Sequence, residues 1–377
     1  TGVRLELTER STTFATMVPL LLGVAATGLR ATRHASPQRR GFRRTPPALM
    51  PEGPECLVHA ESLHRRFAGR TLSRAAILSG RYAGNSSMPG RGAPPAGWAE
   101  LRGSLPAVVG AVRAKGKFIW WELSPLSGAL PELTLWSTLG MSGAWSTGRN
   151  THSRVCLELA AEPAAVAPTL LFYNDQRNFG VLTVCTEHAA LRAKLETLGP
   201  SWLDEGGGIT RDGFMEIVRR QCSSRRRAAV PVAKFLMDQS KTAGIGNYVL
   251  SEVLYKARVY PWAACADLVD SDWAEVHAAA SQTLRASYAS QAAIAAAAAG
   301  DDPSATRGTF AAMEPRFKLL VYRQAATADG LAVRVAEGPH GRSVHWVPER
   351  QVRGSTVVVG SAIADRDSSQ RGEDQRT

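Results

Sequence analysis

Cysteines at metal-ligand spacing are missing from this 377-residue chain: its five (Cys56, Cys156, Cys185, Cys222 and Cys265) are scattered, with no CxxC and no Cys/His cluster. That argues against a structural metal and fits small buried thiols of a reducing compartment. No apolar run is long enough for a helix to cross a bilayer. Acidic residues are scarce, 33 Asp and Glu against 45 Lys and Arg, which leaves a net charge of +12. An excess of that size points to a polyanionic partner, most simply nucleic acid. Repeats and long charge runs, expected of a protein that merely coats nucleic acid, are missing as well.

The charge is unevenly spread. Residues 1–49 hold eight arginines (Arg4, Arg10, Arg30, Arg33, Arg39, Arg40, Arg43 and Arg44) against Glu6 and Glu9, which is +6 of the +12. With a short apolar run from Met17 to Leu29 and no acid between Arg30 and Arg44, this stretch resembles an organelle-targeting segment. The other reading is that Met50 is the true start. In both, residues 1–49 are expected to stand outside the fold.

From Glu55 the spacing of Leu57, Ala60, Leu63 and Phe67 predicts a helix, stopped by Gly69. Seven β-type runs follow at 71–78, 108–113, 118–123, 133–139, 155–159, 169–173 and 181–185, with a Gly/Pro/Ser-rich loop at 84–97. Short strands punctuated in this way read as a sandwich or barrel. Beyond Thr186 the pattern is helical: one helix around Phe214, Ile217 and Val218 with Thr210 or Asp212 as its cap, then helices at 232–238 and 248–258. The alanine tract 289–300 reads as a helix end or linker. Residues 317–323, 331–336 and 343–347 read as short strands, with turns at Asp329-Gly330 and 338–341. The polar tail beyond Ala364 reads as disordered.

The stretch Met50-Pro51-Glu52-Gly53-Pro54-Glu55 is the most suggestive chemically. If Met50 is removed, Pro51 becomes a terminal secondary amine able to attack an aldehyde-level carbon and form an imine, with Glu52 beside it to move protons. Taken alone, the same residues would simply begin a helix, with two carboxylates at its positive end. Gly244-Ile245-Gly246-Asn247 opens a helix; its glycines permit close backbone approach, and free N–H groups with the Asn247 amide suit a phosphate. Lys115 and Lys117, flanking Gly116 before an apolar strand, are rivals for a phosphate or proton partner, and spacing does not separate them. Met141, Arg177 and Phe179 offer a flexible thioether, a guanidinium and a ring suited to filling the gap left by an extruded base. Arg342, at a tight turn, suits a backbone phosphate.

Together, MPEGPE (50–55), GKFIWWEL (116–123), LGMSG (139–143), DQRNFG (175–180), LMDQ with AGIGNY (236–248) and GRSVHWVPERQ (341–351) occur in the order found in the formamidopyrimidine-DNA glycosylase and endonuclease VIII family of base-excision enzymes. The chain resembles that family from Met50 to about Gln351, and PEGPE leans toward the endonuclease VIII branch. The resemblance implies an α+β, two-lobed fold: a β-sandwich with a leading helix (50–186), a helical domain with a helix–two-turn–helix (187–306) and a closing β-hairpin (307–356). The extension (1–49) and a disordered tail (357–377) flank it.

The resemblance also implies roles. Pro51 is the Schiff-base nucleophile, Glu52 the acid that protonates the sugar ring oxygen, Lys117 the lysine near the lesion's phosphate, and Glu55 a residue shaping the site. Asn247, Gly246 and Arg342 grip DNA, with Lys115 as the alternative lysine, and Met141, Arg177 and Phe179 fill the void. The hairpin lacks the cysteines that usually hold zinc in the family, so a zincless finger is expected, with no metal and no cofactor. The expected partner is damaged duplex DNA, without a membrane, and the expected state is a monomer. The nucleus is the expected compartment, or a mitochondrion or plastid if residues 1–49 are a transit segment. The expected activity is that of a glycosylase/AP lyase acting by β/δ-elimination on oxidised pyrimidines and ring-opened or over-oxidised purines. Preference for 8-oxoguanine and a catalytically silent damaged-DNA binder are the alternatives.

Overall fold

One apolar stripe sets the position of the first helix. In the computed structural model, which describes residues 51–84, 92–161, 167–204, 206–299 and 317–354, α1 (Gly53–Phe67) buries Cys56, Ala60, Leu63 and Phe67 in the core of a β-sheet. Each larger apolar side chain so buried stabilises by about 1.5–3 kcal/mol. Leu57 and Val58 pack instead against a second, helical core, and Glu61 accepts a 2.7 Å hydrogen bond from the Tyr288 hydroxyl. This one helix therefore belongs to both lobes. The expectations for residues 1–49, for part of the 84–97 loop and for the polar tail fall outside the described residues.

The sheet is built from β1 (Thr71–Ile77), β2 (Ala107–Lys115), β3 (Phe118–Pro125), β4 (Leu133–Thr138), β5 (Gly143–Ser146), β6 (Ser153–Leu159), β7 (Thr169–Asp175) and β8 (Val181–Cys185). Their order is β5-β7-β6-β1-β2-β3-β4-β8, and every pairing is antiparallel. Register shifts between Leu72 and Arg74, Val109 and Val112, and Ser153 and Val155 bend the strands, as bulges do. The bending folds the sheet onto itself. Trp121 of β3 meets Trp145 of β5 edge-on, with centroids 5.6 Å apart, although four strands separate β3 from β5 in the ladder. The Tyr173 hydroxyl of β7 likewise donates to the Thr138 carbonyl of β4 at 2.9 Å. The architecture is the expected two-lobed α+β fold with a sandwich-like sheet.

The elements that escaped the sequence reading include a strand and a helix of this lobe. The four-residue β5 is too short to show alternation, and α2 (Trp98–Gly103) is a single turn and a half that buries Trp98 and Leu101.

The helical lobe contains α3 (His188–Glu196), α4 (Arg211–Gln221), α5 (Arg225–Ala228), α6 (Val232–Met237), α7 (Asn247–Lys256) and α8 (Asp270–Ala299). The cap of α4 is Thr210, whose hydroxyl accepts the Gly213 N–H at 3.2 Å. The alanine tract forms the last turns of the 30-residue α8, as expected of the residue with the strongest helix propensity. Residues 247–254 of α7 are buried on all sides.

A hairpin of β9 (Arg334–Glu337) and β10 (Ser343–Trp346) follows. Residues 317–323 do not form the strand expected of them. The backbone N–H groups of Leu320, Val321 and Tyr322 all donate to the fully buried Glu252 carboxylate of α7, at 2.9, 3.0 and 2.9 Å. An apolar run that looks β-like locally is thus bent around an acid supplied by another element. The hairpin has its own support as well: Trp346 lies edge-on to Tyr260 and Trp262 at 5.5 and 5.2 Å, and Val344 and Val347 are buried.

Replacing Glu252 with alanine leaves three N–H groups without a partner, those of Val321 and Tyr322 buried, at about 1–3 kcal/mol for each buried one. The expected loss of stability is roughly 3–5 kcal/mol in urea unfolding, in line with removal of one partner from a buried charged contact.

Candidate active site

Three backbone segments meet where the lobes join, and glycine makes the contact possible. The Gly53 N–H donates to the Gly244 carbonyl at 2.9 Å, and a Cβ on Gly53 would lie 2.8 Å from the Gly244 Cα. Gly116, at φ +58° in the two-residue loop between β2 and β3, would bring a Cβ to 2.7 Å from that of Ala243. The start of α1, the β2–β3 hairpin and the loop before α7 are thereby held in register.

This junction buries Glu52. Its two carboxylate oxygens accept the Tyr248 and Val249 N–H groups at the N-terminus of α7, at 2.9 and 3.2 Å, where free N–H groups and the helix dipole both favour an acceptor. Glu52 can hold this position only with glycine at 246, because a Cβ there would come within 2.2 Å of the Glu52 Cδ. Burial pushes the Glu52 carboxyl up to about 7, against the opposing pull of the Lys117 ammonium and the Tyr248 N–H.

Glu55 closes the first turn of α1 by accepting the Glu52 N–H at 3.0 Å. It also accepts the Tyr248 hydroxyl at 2.9 Å, and that hydroxyl lies 2.9 Å from the Ser287 hydroxyl of α8. Burial raises the Glu55 carboxyl as well. Pro51, half-buried, immediately precedes the pair.

The two lysines separate in space. Lys115 donates to the Leu195 and Leu198 carbonyls at the end of α3, at 2.9 and 3.0 Å, so its ammonium is engaged as a helix-end cap. Lys117, on the other side of Gly116, faces the acid pair. Burial lowers its pKa, Glu52 raises it, and Arg342 lowers it further. Asn247 opens α7 and reaches the hairpin turn: its amide nitrogen donates to the Ser343 carbonyl at 2.8 Å, and its oxygen lies 2.9 Å from the His340 Nε2. Glu52, Glu55, Lys117, Asn247 and Arg342 thus converge on the N-terminal end of α7.

Met141, Arg177 and Phe179 form a second group, on two loops tied together by Asp175. One Asp175 oxygen accepts the Ser142 hydroxyl at 2.7 Å and the Arg177 N–H at 3.2 Å; the other accepts the Gly180 N–H at 2.7 Å. Arg154 and Arg81 brace the same loop from behind through the Asp175 and Gly180 carbonyls. Phe179 is 49% exposed, with the Arg177 guanidinium 5.5 Å from its ring centre. The bracing residues Ser142, Asp175, Arg81 and Arg154 were not singled out from sequence, although Ser142 and Asp175 lie inside the quoted motifs. Tyr248 and His340 were also passed over.

A buried carboxyl with a raised pKa beside Lys117 at a helix N-terminus, and an exposed aromatic with a guanidinium on a braced loop pair, make up the candidate site. Residues 50–182 match the model of the formamidopyrimidine-DNA glycosylase N-terminal domain, and residues 211–297 match that of the formamidopyrimidine-DNA glycosylase H2TH domain. A formamidopyrimidine-DNA glycosylase of Corynebacterium glutamicum is 26% identical over 215 residues, 56% of this chain and 69% of the relative. One of a Nocardioides species is 32% identical over 217 residues, 56% of this chain and 65% of the relative. The Lactococcus lactis formamidopyrimidine-DNA glycosylase, solved non-covalently bound to DNA containing an AP site, shares the fold with a TM-score of 0.58 at 20% identity, covering 80% of this chain and 99% of that one. The chain belongs to the formamidopyrimidine-DNA glycosylase/endonuclease VIII family, a class of DNA N-glycosylases with AP lyase activity that acts in DNA repair.

Replacing Gly246 with alanine drives a methyl group into the Glu52 carboxylate without straining the backbone, which has φ −126° at this position. The expected result is a folded protein whose strand cleavage at an abasic site falls about 100-fold, the cost of displacing a reacting group by about 1 Å. Circular dichroism and gel-based cleavage rates check the two halves of that statement.

Proposed function

We infer that the form of this protein beginning at Pro51 excises damaged bases from duplex DNA and cleaves the strand through an imine. The observation that carries the reading is the Glu52 carboxyl next to Pro51, held on the first N–H groups of α7 and keeping its proton until about pH 7. In the proposed step the Pro51 nitrogen lone pair attacks the anomeric carbon, the bond from that carbon to the base breaks, and the departing base takes up the proton that the Pro51 nitrogen sheds. Glu52 gives its proton to the sugar ring oxygen as the ring opens to the iminium. Loss of a proton from the adjacent sugar carbon then expels the 3′ phosphate by β-elimination, and a second elimination releases the 5′ phosphate.

Lys117, which interacts electrostatically with both Glu52 and Arg342, suits contact with the lesion's phosphate. Glu55 and Tyr248 hold the acid in place. Asn247 and Arg342 would grip the flanking phosphates, while Met141, Arg177 and Phe179 would occupy the space left by the flipped nucleotide. The proposed substrates are oxidised pyrimidines and ring-opened or over-oxidised purines. The protein would act as a monomer without cofactor, in the nucleus, or in an organelle if residues 1–49 direct it there.

Borohydride trapping on an oligonucleotide with one abasic site tests the nucleophile, using one form of the chain that starts at Thr1 and one that starts at Pro51. A covalent complex with the Pro51 form alone is the expected result. Trapping by neither form, with DNA still bound, would replace the enzyme by a damaged-DNA binding protein.

The acid has its own signature. Glu52 is protonated below about pH 7 and charged above it, so kcat/KM for base release should fall about tenfold per pH unit on the alkaline side. Glu52→Gln should abolish base release at every pH; an unchanged alkaline limb in that variant would assign the proton to another group.

A further inference from the structure

The turn of the β9–β10 hairpin holds a histidine that the proposed chemistry does not use. His340 folds beneath the turn, against the backbone of Gly338: a Cβ on Gly338 would meet the His340 ring at 2.5 Å. The turn is closed by the Gly338 N–H donating to the Arg342 carbonyl at 2.7 Å and the Gly341 N–H to the Gly338 carbonyl at 3.0 Å. The ring's Nε2 lies 2.9 Å from the Asn247 amide oxygen, and its Nδ1 is buried with no hydrogen-bond partner.

These contacts fix the proton positions. The Ser343 carbonyl can only accept, so the Asn247 group 2.8 Å from it is the NH2. The Asn247 oxygen must then face His340, and an amide oxygen can only accept, so His340 Nε2 carries a hydrogen. The orphaned Nδ1 has nothing to donate to. Burial and the neighbouring Arg342 guanidinium both disfavour a second proton on the ring. The ring is therefore the neutral Nε2–H tautomer. The Asn247 amide is held on both sides by the turn that carries Arg342, and one N–H is left over.

We propose that His340 is the positioning residue of the phosphate grip, its Nε2–H locking the Asn247 amide and the Arg342-bearing turn into a single preassembled unit. Without that bond the amide oxygen loses its donor and the turn is tied to α7 near its tip only through the Ser343 carbonyl. Arg342 is then free to leave the position in which it would meet a phosphate. This proposal rests on the DNA-processing reading above, because it concerns how that site holds a phosphate.

The test measures binding of the Pro51 form to a duplex containing a tetrahydrofuran abasic analogue across a salt series. Arg342→Ala should lower the log–log salt slope by about one, the signature of one lost phosphate contact. His340→Leu should do the same and weaken binding about tenfold, and the double variant should be no weaker than either single one. His340→Gln, which places an N–H near the Nε2 position, should restore the wild-type slope. An unchanged slope in His340→Leu, or a His340→Gln as impaired as the leucine variant, overturns the proposal. Nitrogen NMR of His340 in the DNA-free protein at about pH 8 reads the tautomer separately: Nε2–H is expected, and Nδ1–H overturns the proposal. Failure of the wild-type protein to bind the abasic duplex, with the Nε2–H tautomer observed, would instead overturn the DNA-processing reading.

Discussion

The structure depends most on two hydrogen bonds from the first N–H groups of α7 to the Glu52 carboxylate. They join the first described turn of the chain to a helix nearly two hundred residues later. They also put a carboxyl where burial favours the acid form and the helix N-terminus favours the anion. The balance leaves it titrating near 7, the range in which a carboxyl can give and regain a proton under ordinary conditions. The close approach requires small residues at Gly53, Gly116 and Gly246, and Gly244 adopts a φ of +122° that favours glycine. Backbone packing, more than side-chain packing, therefore sets the geometry of the acid.

α7 is the common reference for everything near it. Its N-terminus holds Glu52, its first residue Asn247 reaches the hairpin turn, and Glu252 one turn further on gathers three backbone N–H groups of the segment leading into that hairpin. Rigid helices make good rulers because all their residues are fixed relative to one another. The acid, the proposed phosphate grip and the hairpin are consequently positioned against a single element that is buried along most of its length. Among the described residues, the hairpin is supported by this carboxylate, by the Trp346, Tyr260 and Trp262 rings, and by Gln351, which accepts the Val347 N–H and donates to the Val259 carbonyl.

The second loop pair follows a similar logic with different parts. Asp175 is buried, and its two oxygens take three donors from two loops, so the Met141 loop and the Arg177–Phe179 loop are tied at their bases while Arg177 and Phe179 stay exposed. A stiff base beneath an exposed ring and guanidinium suits surfaces that must displace something without collapsing. The proposed void-filling role needs that property.

Much of this was legible in the sequence because it is local. The apolar spacing of Leu57, Ala60, Leu63 and Phe67 marks α1, seven strand runs have the right composition, and the motifs around Glu52, Lys117 and Asn247 lie next to the glycines that allow their contacts. Sequence also marked Thr210 as one of two possible caps. Tertiary structure alone decided that Lys115 caps α3 while Lys117 faces the acid, since the two differ only in which side of a positive-φ glycine they occupy. It decided that 317–323 wraps around Glu252 instead of pairing as a strand, and that a four-residue β5 completes the sheet. It also decided that His340 lies against Asn247. In each case the determining partner is remote in the chain, and a hydrogen bond or a burial made across such a distance leaves no periodic trace in the residues on either side of it.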